Sequence, residues 1–229
     1  MNEYNTTLFS TSDNSKYALE CILRLEQARK HMGKVSTYLI GSEFSQGIKT
    51  TAKAKNINVI EVGKTNKYFE KGWNYPKECY FWTFAPLYFK TKYALYIDGD
   101  VYCLKNPYIE EVHSITGITL RRNPGLTAKE IARYKQILPF DTNRPRVNSG
   151  VLYMNLEFLR EKNFTQIMSD LYHWSIEKGI PRKGDDSLFW VFVKTHDWGW
   201  GYLPIEYNWI KTEFGNPTKD VVWWHNNNP

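Results

Sequence analysis

The stretch that decides the fold is Ala94–Asp100, ALYIDGD, in which a short apolar run leads directly into two aspartates separated by one glycine. Such a run is typical of a buried strand in a parallel sheet. Burying unpaired carboxylates is costly, so Asp98 and Asp100 are expected to share a positive partner. Oxygen ligands at this spacing suit a hard divalent cation, and Gly99 lets the backbone turn tightly beside it. A solvated turn at the end of a strand is the alternative, because a bare Asp-x-Asp is common.

Composition predicts one globular domain that does not cross a membrane. The 229 residues can bury a substantial core, and no segment approaches the ~18 uninterrupted apolar residues of a membrane span. No signal peptide is visible, and the three cysteines have no metal or redox spacing. We therefore expect a cytoplasmic protein (in the host cytoplasm if viral) with reduced thiols. The net charge of +6 allows weak peripheral attraction to anionic lipid, but no basic tract predicts nucleic-acid binding.

Strand and helix patterns alternate through the first half of the chain. The expected elements are strands at Thr6–Thr11, Val35–Ile40 and Asn58–Val62, and helices at Tyr17–His31 and Ile48–Lys55. This order is typical of an α/β fold with a parallel sheet and crossover helices. Ligands of such sheets bind at the carboxyl ends of the strands. Asp13 and the Asp98/Asp100 pair follow strands, so we expect them to face one crevice.

The second half has a less regular pattern. The expected elements are a helix at Lys77–Lys90 that Pro86 would kink, a helix at Thr127–Leu138, a strand at Val147–Asn155, a helix at Leu156–Lys178 with a break near Asn163, and a helix at Leu188–Lys194. A charged loop, Pro181–Ser187, would carry Asp185 and Asp186 ahead of the last of these helices. The C-terminal part, Gly201–Pro229, is predicted to be mostly irregular and is rich in aromatic residues.

Five motifs in sequence order resemble the nucleotide-sugar glycosyltransferases of the GT-A fold, and family 8 most closely. They are Asp98-Gly99-Asp100 after its strand, Val147–Val151 (VNSGV), Gly184–Ser187 (GDDS, where the family often has Asp-Gln-Asp), Leu203–Trp209 (LPIEYNW) and His225 after an apolar run. The resemblance spans nearly the whole chain. It implies a Rossmann-like, mostly parallel central sheet flanked by helices. It also implies one domain over residues 1–229, with a nucleotide-binding half at about 1–102 and a donor-sugar and acceptor half at about 103–229.

The resemblance also implies an activity and a site. The activity is transfer of a hexose-type sugar, with retention, from a UDP-sugar to a glycan, glycoprotein or glycolipid acceptor. Asp98, Asp100 and His225 would hold Mn²⁺, or Mg²⁺, against the donor diphosphate. The donor would be bound by Ser12, Asp13, Tyr17, Asp98, Gly99, Asn148 and Ser149. Asp185 would hold sugar hydroxyls, and Asp186 would lie under the anomeric carbon.

Three features depart from the family pattern. Trp82 stands where the family has a basic residue before the metal strand, and Arg121, Arg122 or Lys183 are the candidates to replace that charge. Asp186 stands where the family has glutamine. The residues after His225 lack the family's Gly-x-x-Lys-Pro-Trp, whose lysine contacts the diphosphate.

Other interpretations of the same residues stay open. A Mg²⁺-dependent phosphohydrolase of the haloacid-dehalogenase type also has an apolar strand ending in Asp-x-Asp, although usually near its N-terminus. A carbohydrate-binding protein without turnover is the third class. Among single residues, Asp13 is equally well explained as a helix cap, and Asp185 and Asp186 as acids that a helix dipole favours. His225 would otherwise be a buried structural histidine.

Overall fold

The computed structural model describes residues 5–13, 16–63, 69, 77–107, 115–119, 128–136, 147–178, 185–199 and 201–226. Arg121, Arg122, Lys183 and Gly184, to which the sequence analysis gave roles, lie outside these residues. Among the helices so described, none has the length and apolar character needed to cross a bilayer.

The first half forms the predicted alternation of strands and helices. Its elements are β1 (Thr6–Ser12), α1 (Lys16–Met32), β2 (Ser36–Gly41), α2 (Gln46–Ala54), β3 (Asn58–Glu61) and β4 (Tyr93–Ile97). The α1 helix forms because its apolar residues recur at helical spacing, and its buried residues are Ala18, Cys21, Ile22, Leu25 and Ala28. All seven residues of β1 are buried, as expected for a strand covered on both faces.

The segment before β4 differs from the single α-helix that we expected at Lys77–Lys90. It forms a 3₁₀ helix at Lys77–Phe84, followed by a four-residue α-helix, α3 (Ala85–Tyr88). Pro86 lies in the first turn of α3. Proline has no N–H to bond the carbonyl four residues earlier, so an uninterrupted α-helix cannot run through this position. The expectation of one α-helix was therefore wrong, and Pro86 lies in the first turn of a separate helix and not at a kink within a longer one.

The second half contains many short elements. They are β5 (Val101–Cys103), β6 (Ile115–Thr119), α4 (Ala128–Lys135), β7 (Val147–Asn155), α5 (Leu156–Glu161), α6 (Phe164–Glu177), α7 (Asp185–Thr195), β8 (Gly201–Tyr202), a 3₁₀ turn (Ile205–Asn208), β9 (Trp209–Ile210), α8 (Lys211–Phe214) and β10 (Trp223–His225). The predicted β7 is confirmed. The predicted break near Asn163 is also confirmed, because Asn163 has a left-handed backbone (φ 55°) between α5 and α6.

The helix α7 begins three residues earlier than the predicted Leu188–Lys194. Asp185 and Asp186 therefore lie in its first turn and not in a preceding loop. Acidic side chains are favoured there because the free N–H groups at a helix N-terminus carry partial positive charge. The helix holds both carboxylates in fixed positions, which a loop would not do.

Seven strands form the main sheet in the order β3-β2-β1-β4-β7-β6-β8. The pairs β1–β2, β2–β3, β1–β4 and β6–β8 are parallel, whereas β7 is antiparallel to β4 and β6. The predicted α/β class with a mostly parallel sheet is therefore confirmed. A second, three-stranded sheet has the order β5-β10-β9. In this sheet β10, near the end of the described chain, pairs with β5, which follows β4 by three residues.

The sheet is covered on both faces by apolar clusters. Along β4, Ala94 and Tyr96 join one cluster, and Leu95 and Ile97 join the other. This alternation follows from the two-residue period of a strand. Both faces of β4 are therefore buried. Because the strand is packed on both sides, the turn that follows its carboxyl end is held in place.

Truncation of the central strand should reduce stability strongly. Leu95 is fully buried, so Leu95→Ala removes apolar contacts and leaves a cavity. We expect a loss of about 2–5 kcal/mol in the free energy of unfolding, measured by urea denaturation. Leu23→Ala on α1, where the side chain is half exposed, is the control and should cost less than about 0.5 kcal/mol. Equal losses in the two variants would contradict the assignment of β4 to the core.

Candidate functional site

The acidic turn after β4 and the histidine of β10 lie together. Asp98, Asp100 and His225 each offer one ligand atom, and these atoms lie within 4.8 Å of one another. His225 Nε2 is 3.2 Å from Asp100 Oδ1 and 4.0 Å from Asp98 Oδ2. Two carboxylate oxygens and one imidazole nitrogen are a ligand set suited to Mn²⁺, which accepts nitrogen more readily than Mg²⁺ does. The sequence-predicted metal ligands are therefore neighbours in space.

Backbone pairing brings these three residues together. In the antiparallel pair β5–β10, His225 lies opposite Val101, the residue after Asp100. The N–H of Asn226 donates to the carbonyl of Asp100 at 3.0 Å, and the N–H of Asp98 donates to the carbonyl of Gly150 at 2.9 Å. A Cβ on Gly150 would lie 2.4 Å from His225 Cε1, so the imidazole reaches the acidic turn only because residue 150 has no side chain.

Gly99, which we expected to touch the donor, also has a packing role. A Cβ at this position would lie 2.8 Å from both Cys21 Sγ and the Tyr17 ring. The N–H of Gly99 donates to the Tyr17 hydroxyl at 2.8 Å. The glycine therefore lets the acidic turn rest on α1 and fixes the tyrosine that was predicted to stack on the base.

The three candidate ligands shift one another's pKa values. Burial, together with repulsion from Asp100, raises the pKa of Asp98 to about 6. Burial also acts to raise the pKa of Asp100, but the hydrogen bond and charge of His225 outweigh it and the pKa is lowered. For His225, burial acts to lower the pKa, but Asp100 and Asp98 outweigh it and the pKa is raised. A protonated imidazole thus supplies positive charge that a bound cation would supply in its place.

Asp185 and Asp186, with their partners Trp82, Asn148 and Ser149, form a second group of side chains, called here the carboxylate floor. The N–H of Ser149 donates to Asp186 Oδ1 at 2.7 Å, and Asn148 Nδ2 donates to Asp186 Oδ2 at 3.3 Å. The Ser149 hydroxyl lies 2.5 Å from Asp186 Oδ1 and 2.9 Å from Asp185 Oδ2. Trp82 Nε1 donates to Asp185 Oδ2 at 2.8 Å. The structure therefore brings together Asn148, Ser149, Asp185 and Asp186, which the resemblance implied would bind the donor and its sugar.

The partners of the Asp185 carboxyl group among the described residues, Ser149 and Trp82, are neutral. A basic side chain in the position of Trp82 would stabilise the ionised form. Burial, with repulsion from Asp186 and Asp98, raises the pKa of Asp185 to about 8. The hydrogen bond from Trp82 acts to lower the pKa of Asp185, but burial and the two neighbouring negative charges outweigh it.

A cavity of about 400 Å³ opens beside these groups. Its lining consists of Thr11, Ser12, Asp13, Tyr17, Glu78, Cys79, Tyr96, Asp98 and Asp185. Four of these described lining residues are acidic and none is basic. An anionic ligand would therefore be repelled unless a cation accompanies it. A larger, more open groove of about 600 Å³ lies along β3, but its lining contains no candidate site residue and does not mark the site.

Sequence reasoning missed three residues of the site. Tyr96 donates to Asp98 Oδ1 at 2.5 Å, but in the sequence it is simply one aromatic of an apolar strand. Glu78 is buried in the cavity lining, where the hydroxyl of Ser42 donates to it, and its position at the start of an aromatic run gave no signal. Asn208 is fully buried and its Oδ1 lies 3.2 Å from His225 Nδ1. The resemblance included Asn208 in a motif, but nothing indicated its contact.

The raised pKa of Asp185 predicts that the stability of the protein depends on pH. Between the ordinary pKa of aspartate and the raised pKa of Asp185, the folded state binds more protons than the unfolded state. The free energy of unfolding therefore falls as pH rises through this window, to about pH 8. Asp185→Asn removes the ionisation and should be more stable than wild type at pH 8.5, by on the order of 1–2 kcal/mol.

This difference should shrink towards pH 4, where the folded wild-type side chain is protonated and the unfolded one is about half protonated. Urea denaturation in the presence of EDTA across pH 4–9 measures it. Asp220→Asn is the control, since this aspartate is exposed at the surface. Parallel pH profiles for wild type and Asp185→Asn would contradict the raised pKa.

Solved structures of glycosyltransferases share this fold. An active-site mutant of LgtC matches with a TM-score of 0.76 at 16% identity, covering 98% of this chain and 88% of that chain. The galactosyltransferase LgtC with donor and acceptor sugar analogues gives 0.74 at 17% identity, covering 98% and 87%. Mouse xyloside xylosyltransferase 1 gives 0.65 at 13% identity, covering 98% of each chain. No protein-family model matches the chain, and no curated sequence is detectably similar to it. The chain therefore has the GT-A fold that its motifs predicted.

Proposed function

We propose that this protein is a metal-dependent glycosyltransferase that moves a hexose-type sugar from a UDP-sugar to a glycan, glycoprotein or glycolipid acceptor. The observation that carries the proposal is the meeting of Asp98, Asp100 and His225 within 4.8 Å beside an acidic cavity, in a fold shared with glycosyltransferases. Residues 1–102 would bind the nucleotide and residues 103–229 the sugar and the acceptor. A cytoplasmic location with weak peripheral membrane association belongs to the same proposal.

The ligand set fits a divalent cation, and Mn²⁺ best. One imidazole and two carboxylates lie close enough to share one ion, with ligand atoms within 4.8 Å of one another. When bound, the cation would neutralise the charge that develops on the departing diphosphate. Asp100 and His225 would hold it directly, whereas Asp98 would share its oxygens between the cation and the Tyr96 hydroxyl.

The nucleoside end of the donor would lie over α1. Asp13, Ser12 and Tyr17 line the cavity on this side. The carboxylate of Asp13 would accept hydrogen bonds from a base N–H or a ribose hydroxyl. The ring of Tyr17, fixed through its hydroxyl by the N–H of Gly99, would stack on the base.

We assign the sugar-facing role to Asp185 and not to Asp186, which the sequence analysis had placed under the anomeric carbon. Asp185 lines the cavity together with Asp98, whereas both oxygens of Asp186 accept hydrogen bonds from Ser149 and Asn148. The ionised carboxylate of Asp185 would stabilise an oxocarbenium-like transition state, or would attack the anomeric carbon while the bond to the UDP oxygen breaks. In the second case, a later displacement of Asp185 by the acceptor hydroxyl would give retention. Asp186 would keep the floor in place.

The two alternatives receive less support. A phosphohydrolase would need a carboxylate of the acidic turn as nucleophile, yet Asp100 pairs with His225 at 3.2 Å and Asp98 accepts a hydrogen bond from the Tyr96 hydroxyl. A binding protein without turnover would have no need of three ligands gathered around a carboxylate floor.

Binding of the donor nucleotide should require the metal. We expect saturating UDP with Mn²⁺ to raise the melting temperature by about 5 °C or more, because binding at 100 times Kd stabilises by about 2.7 kcal/mol. UDP alone should have little effect, since the described cavity lining is acidic. Differential scanning fluorimetry measures this.

Asp100→Ala should abolish the Mn²⁺-dependent shift and keep a cooperative transition. Asp220→Ala is the matched control, because it removes an exposed aspartate, and it should behave as wild type. An unchanged shift in Asp100→Ala would exclude Asp100 as a ligand and remove the basis of the proposal.

Reaction products separate the three classes of function. With Mn²⁺ and a UDP-hexose but no acceptor, a transferase should release UDP slowly through attack by water. A phosphohydrolase should release inorganic phosphate, and a binding protein should release neither. Chromatography of the nucleotides and a phosphate assay give the answer. Phosphate release without UDP would overturn the transferase proposal.

A further inference from the structure

The buried amide of Asn208 bridges the two halves of the site. It lies in the 3₁₀ turn before β9 and its side chain is fully buried. Its Oδ1 is 3.2 Å from His225 Nδ1, and its Nδ2 is 2.7 Å from Asn148 Oδ1. On the other side of this bridge, Asn148 Nδ2 donates to Asp186. One continuous hydrogen-bonded path therefore joins the metal histidine to the carboxylate floor.

The direction of every bond in this path is set by a backbone group. The N–H of Gly150 donates to Asn148 Oδ1 at 2.9 Å, and a backbone N–H can only donate. The atom of Asn148 that faces Gly150 and Asn208 must therefore be its oxygen. Asn208 must present its NH₂ group to this oxygen, so its own oxygen faces the imidazole. His225 Nδ1 consequently carries a proton.

A proton on Nδ1 is the condition for the opposite nitrogen to bind a metal. His225 Nε2 faces Asp100 and Asp98, where the cation would sit. When a metal ion takes the place of the proton on Nε2, the ring that remains is the neutral form protonated at Nδ1, whose lone pair is on Nε2. Without an acceptor at Nδ1, the ring could instead keep its proton on Nε2 and donate it to Asp100, which would compete with a metal ion.

We propose that Asn208 is a positioning residue, which holds His225 in the Nδ1-protonated form and aims its Nε2 lone pair at the cation. This inference rests on the proposed function, because it concerns the same metal site. It adds that the orientation of the His225 ring depends on the orientation of Asp186, because Asn208 and Asn148 connect the two by hydrogen bonds. Partners that orient a metal-bound histidine typically contribute 10–100-fold to metal affinity.

The test measures Mn²⁺ affinity directly, by the EPR signal of free Mn²⁺ during titration of the protein with saturating UDP. Asn208→Leu keeps the approximate side-chain volume and removes the acceptor, so Kd for Mn²⁺ should rise about 10–100-fold. Asn208→Asp keeps an acceptor for Nδ1–H but sets a carboxylate oxygen against Asn148 Oδ1. It should lose thermal stability and yet keep Kd within about threefold, since the histidine remains oriented.

Controls separate orientation from general damage to the fold. Thr7→Val removes another hydrogen bond of a buried side chain, between Thr7 Oγ1 and Thr91 Oγ1 at 2.9 Å, near the amino-terminal end of β4 and so at the end opposite to Asp98. It should lower the melting temperature without changing Kd for Mn²⁺. Should Asn208→Leu fail to fold, Asn208→Ala removes the same acceptor with less steric demand, and the same loss of affinity is expected.

Three outcomes are decisive. A weakened Kd in Asn208→Leu together with a retained Kd in Asn208→Asp supports the inference. An unchanged Kd in Asn208→Leu or Asn208→Ala, with tight Mn²⁺ binding by wild type, overturns the inference and leaves the proposed function standing. Absence of Mn²⁺ binding by wild type, or binding that is indifferent to His225→Ala, overturns the proposed function and this inference with it.

Discussion

The rest of the site depends on how two carboxylates are kept at the end of a dry central strand. Both faces of β4 are packed in apolar clusters, so Asp98 and Asp100 emerge where water cannot fully solvate them. The imidazole of His225, whose Nε2 is 3.2 Å from Asp100 Oδ1, acts to lower the pKa of both carboxyl groups. Under the proposed function, the same three side chains would hold the cation.

The sequence predicted the features of the fold that follow from periodicity. The alternation of β1, α1, β2, α2 and β3 could be derived from apolar spacing, because the apolar residues of these elements are largely the ones that the fold buries. The segment before β4 was mistaken for one α-helix. Its aromatic residues follow one another almost without interruption and nearly all are buried, so their spacing does not distinguish an α-helix from a 3₁₀ helix. The early start of α7 was also missed, because acids before an apolar run suit either a loop or a first turn.

For the site, the sequence predicted which residues would meet but not how they would be bonded. The acidic turn and His225 are more than a hundred residues apart, and only the resemblance to a family connected them. The different environments of Asp185 and Asp186 could not be derived, since neighbours in a sequence carry no information about burial or partners. Contacts such as that of Trp82 with Asp185 arise from packing between distant elements.

The strand β7 combines two duties that limit how it can change. Its residues pair with β4 from Ile97–Val151 to Tyr93–Asn155, and its first residues supply Asn148, Ser149 and Gly150 to the site. Inserting or deleting a single residue here would exchange the two faces of the strand, placing core side chains against the wrong cluster and withdrawing Ser149 from the carboxylates. Insertions and deletions in β7 are therefore not tolerated. A change in substrate specificity at this strand can arise only by substitution of single residues.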